Sequence, residues 1–140
     1  IPVLSSVGAR ASIIAGAQGD VFGPLKTYAD PMLISAELAP ETPFEFSLNP
    51  NYTYAVYGLL GEVLIGDENS IVREGELGVL ADDLSVVVAR AAEKRAHFLV
   101  IGGPPIENQI VRHGPFVANS VDHMHNIIHD YQMGKFGRIQ

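Results

Sequence analysis

The chain has 140 residues, 47% hydrophobic and 18% charged, a composition that favours one folded domain with a buried core and argues against disorder. Sixteen acidic residues against nine Lys and Arg give a formal net charge of -7, and no basic cluster offsets it, so direct nucleic-acid binding is not expected. There are no cysteines, which removes disulfides, thiolate zinc sites and cysteine nucleophiles together. No apolar run approaches the roughly 18 residues of a membrane span. The expected setting is cytoplasmic, or nuclear in a eukaryote. No signal-peptide pattern opens the chain, and it does not begin with Met, which fits an N-terminus further upstream.

Residues 1–10 read as a connector, with Pro2, Ser5, Ser6 and Gly8. A short strand is expected at Ala11–Gly16, then a loop marked by Gln18-Gly19-Asp20 and Gly23-Pro24. Met32–Leu38 is the next strand. Phe44–Leu48 alternates apolar and polar residues, as a half-buried strand does. Asn49-Pro50-Asn51 is a turn, and Tyr52–Leu60, rich in aromatic and β-branched residues, is a strand. Gly61 interrupts it before Glu62–Ile65, and Gly66-Asp67-Glu68-Asn69 makes a hairpin turn. Further strands are expected at Ser70–Arg73, Leu77–Leu80, Leu84–Arg90 and Ala96–Ile101. Many short strands with turns between them point to an antiparallel sandwich or barrel.

The stretch Gly102–Ser120 reads as a closing strap: an extended loop, a Gly114-Pro115 turn, then a helix cap at Ser120. The one helix is expected over 120–133. Asp122 suits its positive end, Val121, Met124, Ile127, Ile128 and Tyr131 share a face, and Gly134 is placed to end it.

No Gly-x-Ser-x-Gly elbow, Walker loop or dinucleotide fingerprint occurs. Gly102-Gly103-Pro104-Pro105 lacks the Lys-Ser/Thr of a phosphate cradle. Asp82-Asp83 reads as a solvated turn. His125 and His129, at i and i+4, share a helix face, but the Glu and third ligand of a zinc-enzyme motif are missing, so plain solvation or adventitious chelation is preferred. His113 before the Gly-Pro turn reads as structural. Tyr52 and Tyr54 fall on one face of their strand and Tyr57 on the other. With Asn51 and His97, the first two are candidate pocket-lining residues, with hydroxyl handles on an apolar pocket. Ordinary core or interface packing is the plainer reading of the tyrosines, and a hydrogen-bonded histidine that of His97.

Three sets of residues resemble the pirin family, a branch of the cupins. They are Gly114-Pro115-Phe116-Val117-x-Asn119-Ser120, the terminal Asp130-Tyr131-Gln132-x-Gly134-Lys135-Phe136-Gly137, and the opening Gly16-x-x-Gly19-x-x-x-Gly23-Pro24 with Tyr28 and the strand ending Glu37-Leu38-Ala39-Pro40. The family usually has acidic residues where this chain has Pro104 and Asn108, a proline at Gln109 and an acid at His123. The resemblance implies an all-β cupin-type antiparallel β-barrel or jelly-roll sandwich with one C-terminal α-helix, and a single domain spanning 1–140. It also implies a C-terminal barrel whose metal-binding N-terminal companion lies outside the sequence, making the chain a fragment or a stand-alone version of that barrel.

A catalytic cupin holds iron or another divalent metal with three His and one Glu. On this resemblance Gly61 matches the Gly that closes the first motif, and Gly75 opens the second. Residues 46–60 contain no His, Asp or Glu, and residues 76–92 contain no His. Uncharged amides and hydroxyls do not replace imidazoles and a carboxylate for a tightly held transition metal. The expectation is a barrel with no catalytic, cofactor or metal site of its own. It would be the structural or interaction half of a pirin-like protein, partnered by an N-terminal cupin barrel of the same or another chain, or by a second copy. The alternative is part of a quercetin-type dioxygenase whose iron sits in the missing barrel.

Overall fold

The computed structural model describes residues 1–137. They form two compact units, Ile1–Pro105 and a second from Ile106 on. The first unit is built from strands β1 (Val3–Ser6), β2 (Ala9–Ala15), β3 (Ala17–Gln18), β4 (Val21–Phe22), β5 (Met32–Leu38), β6 (Pro43–Ser47), β7 (Thr53–Leu60), β8 (Glu62–Ile65), β9 (Ser70–Arg73), β10 (Leu77–Val79), β11 (Val86–Ala91) and β12 (Ala96–Gly103). A six-stranded sheet runs in the order β1-β2-β5-β12-β7-β10, and a four-stranded sheet in the order β6-β11-β8-β9. Every ladder between named strands is antiparallel.

Burial alternates strictly along the core strands. In β5, Met32, Ile34, Ala36 and Leu38 are buried while Leu33, Ser35 and Glu37 face outward. β11 does the same with Val87, Ala89 and Ala91. The inward side chains of both sheets make one apolar core, in which Phe46 of the small sheet meets Phe98 of the large one edge-on at 6.0 Å between ring centres. Phe44 packs on Phe46 at 4.8 Å. Such edge and tilted contacts suit the aromatic quadrupole and add to the area the rings bury.

Glycines mark where backbones meet. At Gly61, φ is +71° and a Cβ would lie 2.4 Å from the Arg95 carbonyl oxygen. The break between β7 and β8 therefore needs glycine for conformation and for space at once.

Residues 1–10 are not a connector. Val3–Ser6 pairs with Ala9–Ser12 across a tight turn at Gly8, whose φ is +77°. A short segment with few large apolar residues gives a weak strand signal, and the free edge of β2 supplies the pairing.

The second unit contains β13 (Val111–His113), β14 (Phe116–Ala118) and helix α1 (Val121–Gln132). The turn expected at Gly114-Pro115 is present, but its flanks pair as a hairpin and are not simply extended loop. Ser120 caps α1, its hydroxyl accepting the His123 N–H at 3.1 Å. Phe116, Tyr131 and Phe136 form an aromatic trio with centre-to-centre distances of 5.2, 6.2 and 6.4 Å.

Candidate functional site

One end of the sandwich carries a cleft of about 550 Å³. Its walls come from the segment after β2, the start of β5, the end of β6 and the start of β7. That volume lies within the usual range for small-molecule sites.

The walls are pinned by specific bonds. Gln18, only 4% exposed, is the one buried polar or charged residue among the described residues. Its amide donates to the Ser47 carbonyl at 2.7 Å, and its carbonyl accepts the Ser47 N–H at 2.9 Å. A side-chain amide thus pairs with the free edge of β6 as a strand backbone would, which satisfies both buried partners. The Gly23 N–H donates to the Gly16 carbonyl at 2.9 Å and the Leu25 N–H to the Ile14 carbonyl at 3.1 Å. A Cβ at Gly23 would stand 2.6 Å from the Ile14 carbonyl carbon, so only glycine lets this wall close.

Tyr54 is the anchor of the cleft, 3% exposed. Its ring lies flat over Gly102 on β12, where a Cβ would fall 2.1 Å from Cδ1 and 2.3 Å from Cε1. The glycines at 102 and 103 therefore make room for a phenol ring rather than for a phosphate. The Tyr54 hydroxyl accepts the Asn49 N–H at 2.8 Å. Burial raises its pKa, against a smaller lowering by that same bond. Tyr52 sits 6.1 Å from Tyr54, with the rings inclined by 31°. Its hydroxyl donates to the Asp30 carboxylate at 3.2 Å. Burial raises the Tyr52 pKa, with the hydrogen bond to Asp30 and the charge of that carboxylate adding to it.

Of the four candidate pocket residues, the fold brings Tyr52 and Tyr54 together on the cleft and leaves the other two elsewhere. Asn51 is exposed at the tip of the 49–52 turn, where its N–H donates to the Asn49 side chain at 3.0 Å. His97 alternates with buried Ala96 and Phe98, so it lies on the outer face of the large sheet, 2.8 Å from the Ser35 hydroxyl. The cleft also takes in Phe22 from β4 and Lys26 and Asp30 from the loop before β5, a stretch that sequence reasoning passed over as connection. The only available signal was the Gly16, Gly19 and Gly23 spacing that folds this loop back on itself.

The barrel interior does not fit the cupin metal set. Where that resemblance places the first ligands, Phe46, Tyr54 and Val56 point inward; where it places the last histidine, Val87, Ala89 and Ala91 do. Among the described residues no three His, Asp or Glu side chains gather in a group able to hold a metal ion. His113, His125 and His129 are exposed, and His123 bonds to the Asn119 side chain at 2.9 Å. Among the described residues no helix is long and apolar enough to cross a membrane.

Comparison with known proteins agrees with this architecture. Residues 33–137 match the family model of the pirin C-terminal cupin domain. Human pirin is 27% identical over 139 residues, covering 98% of this chain and 48% of its own length. A putative quercetin 2,3-dioxygenase of Pseudomonas aeruginosa is 31% identical over 126 residues, covering 90% of this chain and 43% of its own. The crystal structure of a quercetin 2,3-dioxygenase from Acinetobacter baumannii superposes with a TM-score of 0.86 at 27% identity, over 99% of this chain and 48% of that one. The chain thus spans about half the length of the relatives it matches. It belongs to the pirin family of the cupin superfamily and corresponds to that family's C-terminal cupin domain.

Proposed function

We propose that this barrel is the non-catalytic, metal-free half of a pirin-like protein, serving as a structural and interaction module in a cytoplasmic setting. The observation that carries the proposal is the hydrocarbon interior: Phe46, Phe98, Ile34 and Val56 occupy the space where a cupin centre would need imidazoles and a carboxylate. The partner is a second cupin barrel. The outer face of the large sheet supports this choice. Leu33, Ile101, Ala55 and Val79 stand in one register row, and Leu99, Tyr57 and Leu77 in the next. Leu77 and Val79 are 59% and 69% exposed. Contiguous apolar rows on a soluble sheet are the mark of a surface meant to be covered.

The test is elemental mass spectrometry of the tag-free chain, paired with sedimentation velocity. Less than about 0.1 equivalent of iron, zinc, nickel, copper or manganese is expected, since a closed site retains its ion. Near one equivalent refutes the metal-free reading. Self-association that Val79→Glu abolishes is expected for an uncovered docking face. A clean monomer at high concentration refutes that face.

A second reading is favoured by the relatives described as quercetin 2,3-dioxygenases. In it the parent protein oxidises such a substrate with iron held by the companion barrel, and this chain supports that barrel. Iron-dependent oxygenase activity of these 140 residues alone would overturn the assignment of both motif windows.

A further inference from the structure

The end cleft has the chemistry of a ligand site in its own right, independent of whether the outer sheet face docks a partner. Tyr54 is buried, fixed by Gly102 and by the Asn49 N–H, and its oxygen is used there as an acceptor. Its O–H proton has no protein acceptor among the described hydrogen bonds, and the residue lines the cleft. Lys26 is the one cation among the lining residues of the same cleft, and no carboxylate pairs with it among the described residues. Phe22, 69% exposed, and Leu25 offer an apolar wall to a planar group. The Asp30 carboxylate, which accepts the Tyr52 hydroxyl, stands among the lining residues.

We propose that this cleft binds a small aromatic monocarboxylate. The carboxylate takes the Tyr54 O–H and the Lys26 ammonium, and the ring lies against Phe22 and Leu25. Asp30 disfavours a second carboxylate, which separates mono- from dicarboxylates. Hydrogen-bond donors placed on a preformed, mostly apolar wall are the usual recipe for such selectivity.

The experiment is isothermal titration of the full chain with 2-naphthoate, 2-naphthamide and naphthalene-2,6-dicarboxylate. Saturable binding of 2-naphthoate is expected, with the neutral amide weaker by about fivefold, the worth of a partly exposed charge contact. Lys26→Gln should bring naphthoate down to the level of the amide. Phe22→Ala should weaken both by about threefold to tenfold. Both positions are exposed, so these variants fold as the parent does. Asp30→Asn should bring the dicarboxylate up towards naphthoate. No saturation by naphthoate at several millimolar refutes the proposal. So does binding that ignores both Lys26→Gln and Phe22→Ala, which would place the ligand elsewhere.

Discussion

Replacing Gly102 by Ala tests the contact that positions Tyr54. The added Cβ meets Cδ1 at 2.1 Å and Cε1 at 2.3 Å, well inside contact distance, and the ring is too buried to swing clear without leaving its place. Overpacking of this kind costs about 1–3 kcal/mol. A displaced ring also loses the hydrogen bond from the Asn49 N–H, worth about 1 kcal/mol. Alanine is the better strand residue than glycine by roughly 0.5–1 kcal/mol, which offsets part of this. The net expectation is a loss of roughly 2 kcal/mol, or a fall in melting temperature of several degrees. Urea denaturation followed by tyrosine fluorescence measures it. The decisive variant is Gly102→Ala combined with Tyr54→Ala. Removing the ring removes the clash, so the two changes must be strongly non-additive, with Tyr54→Ala costing less once Gly102→Ala is in place. Additive effects, or a single-variant loss under about 0.5 kcal/mol, would refute the packing argument.

Other consequences follow from the same contacts. Phe98→Ala removes a fully buried ring at the junction of the sheets and should cost about 3–5 kcal/mol by denaturant titration. Gly61→Ala combines a positive φ with a clash on the Arg95 carbonyl and should destabilise by at least about 2 kcal/mol, read by the same titration. Gln18→Leu leaves the Ser47 N–H and carbonyl without their partner; a loss of about 1–3 kcal/mol is expected, with faster amide exchange at Ser47. Both Tyr52 and Tyr54 have pKa values raised above 10.0 on folding. The folded state therefore holds the phenolic proton more tightly than the unfolded chain. The resulting stability is full below pH about 10 and is lost as pH rises through the folded values. Alkaline titration followed by phenolate absorbance should show these two tyrosines ionising later than a free tyrosine, and Tyr54→Phe should flatten the alkaline fall in stability.

Turn residues between short strands made the sheets legible. The strands expected at Met32–Leu38 and Ser70–Arg73 lie at their observed bounds, each delimited by turn residues on its flanks. The helix was equally plain, since Ser120, Asp122 and the apolar spacing act within a few residues of each other. β1, the β3–β4 pair and the β13–β14 hairpin were not legible, because these short segments lie among Gly, Pro and Ser turn residues and depend on a partner edge. The site divided in the same way. Alternation sufficed to put Tyr52 and Tyr54 on one side, and the lack of histidine in two windows sufficed to question a metal.

Other features needed the fold. Gln18 finds Ser47 across 29 residues, and Gly102 finds Tyr54 from a strand far along the chain. His97 went to the outer face because its neighbours Ala96 and Phe98 fill the core. Local propensity and pattern are set by residues near in sequence. The tertiary structure decided which loop meets which strand end, because that choice rests on contacts between segments far apart in the chain.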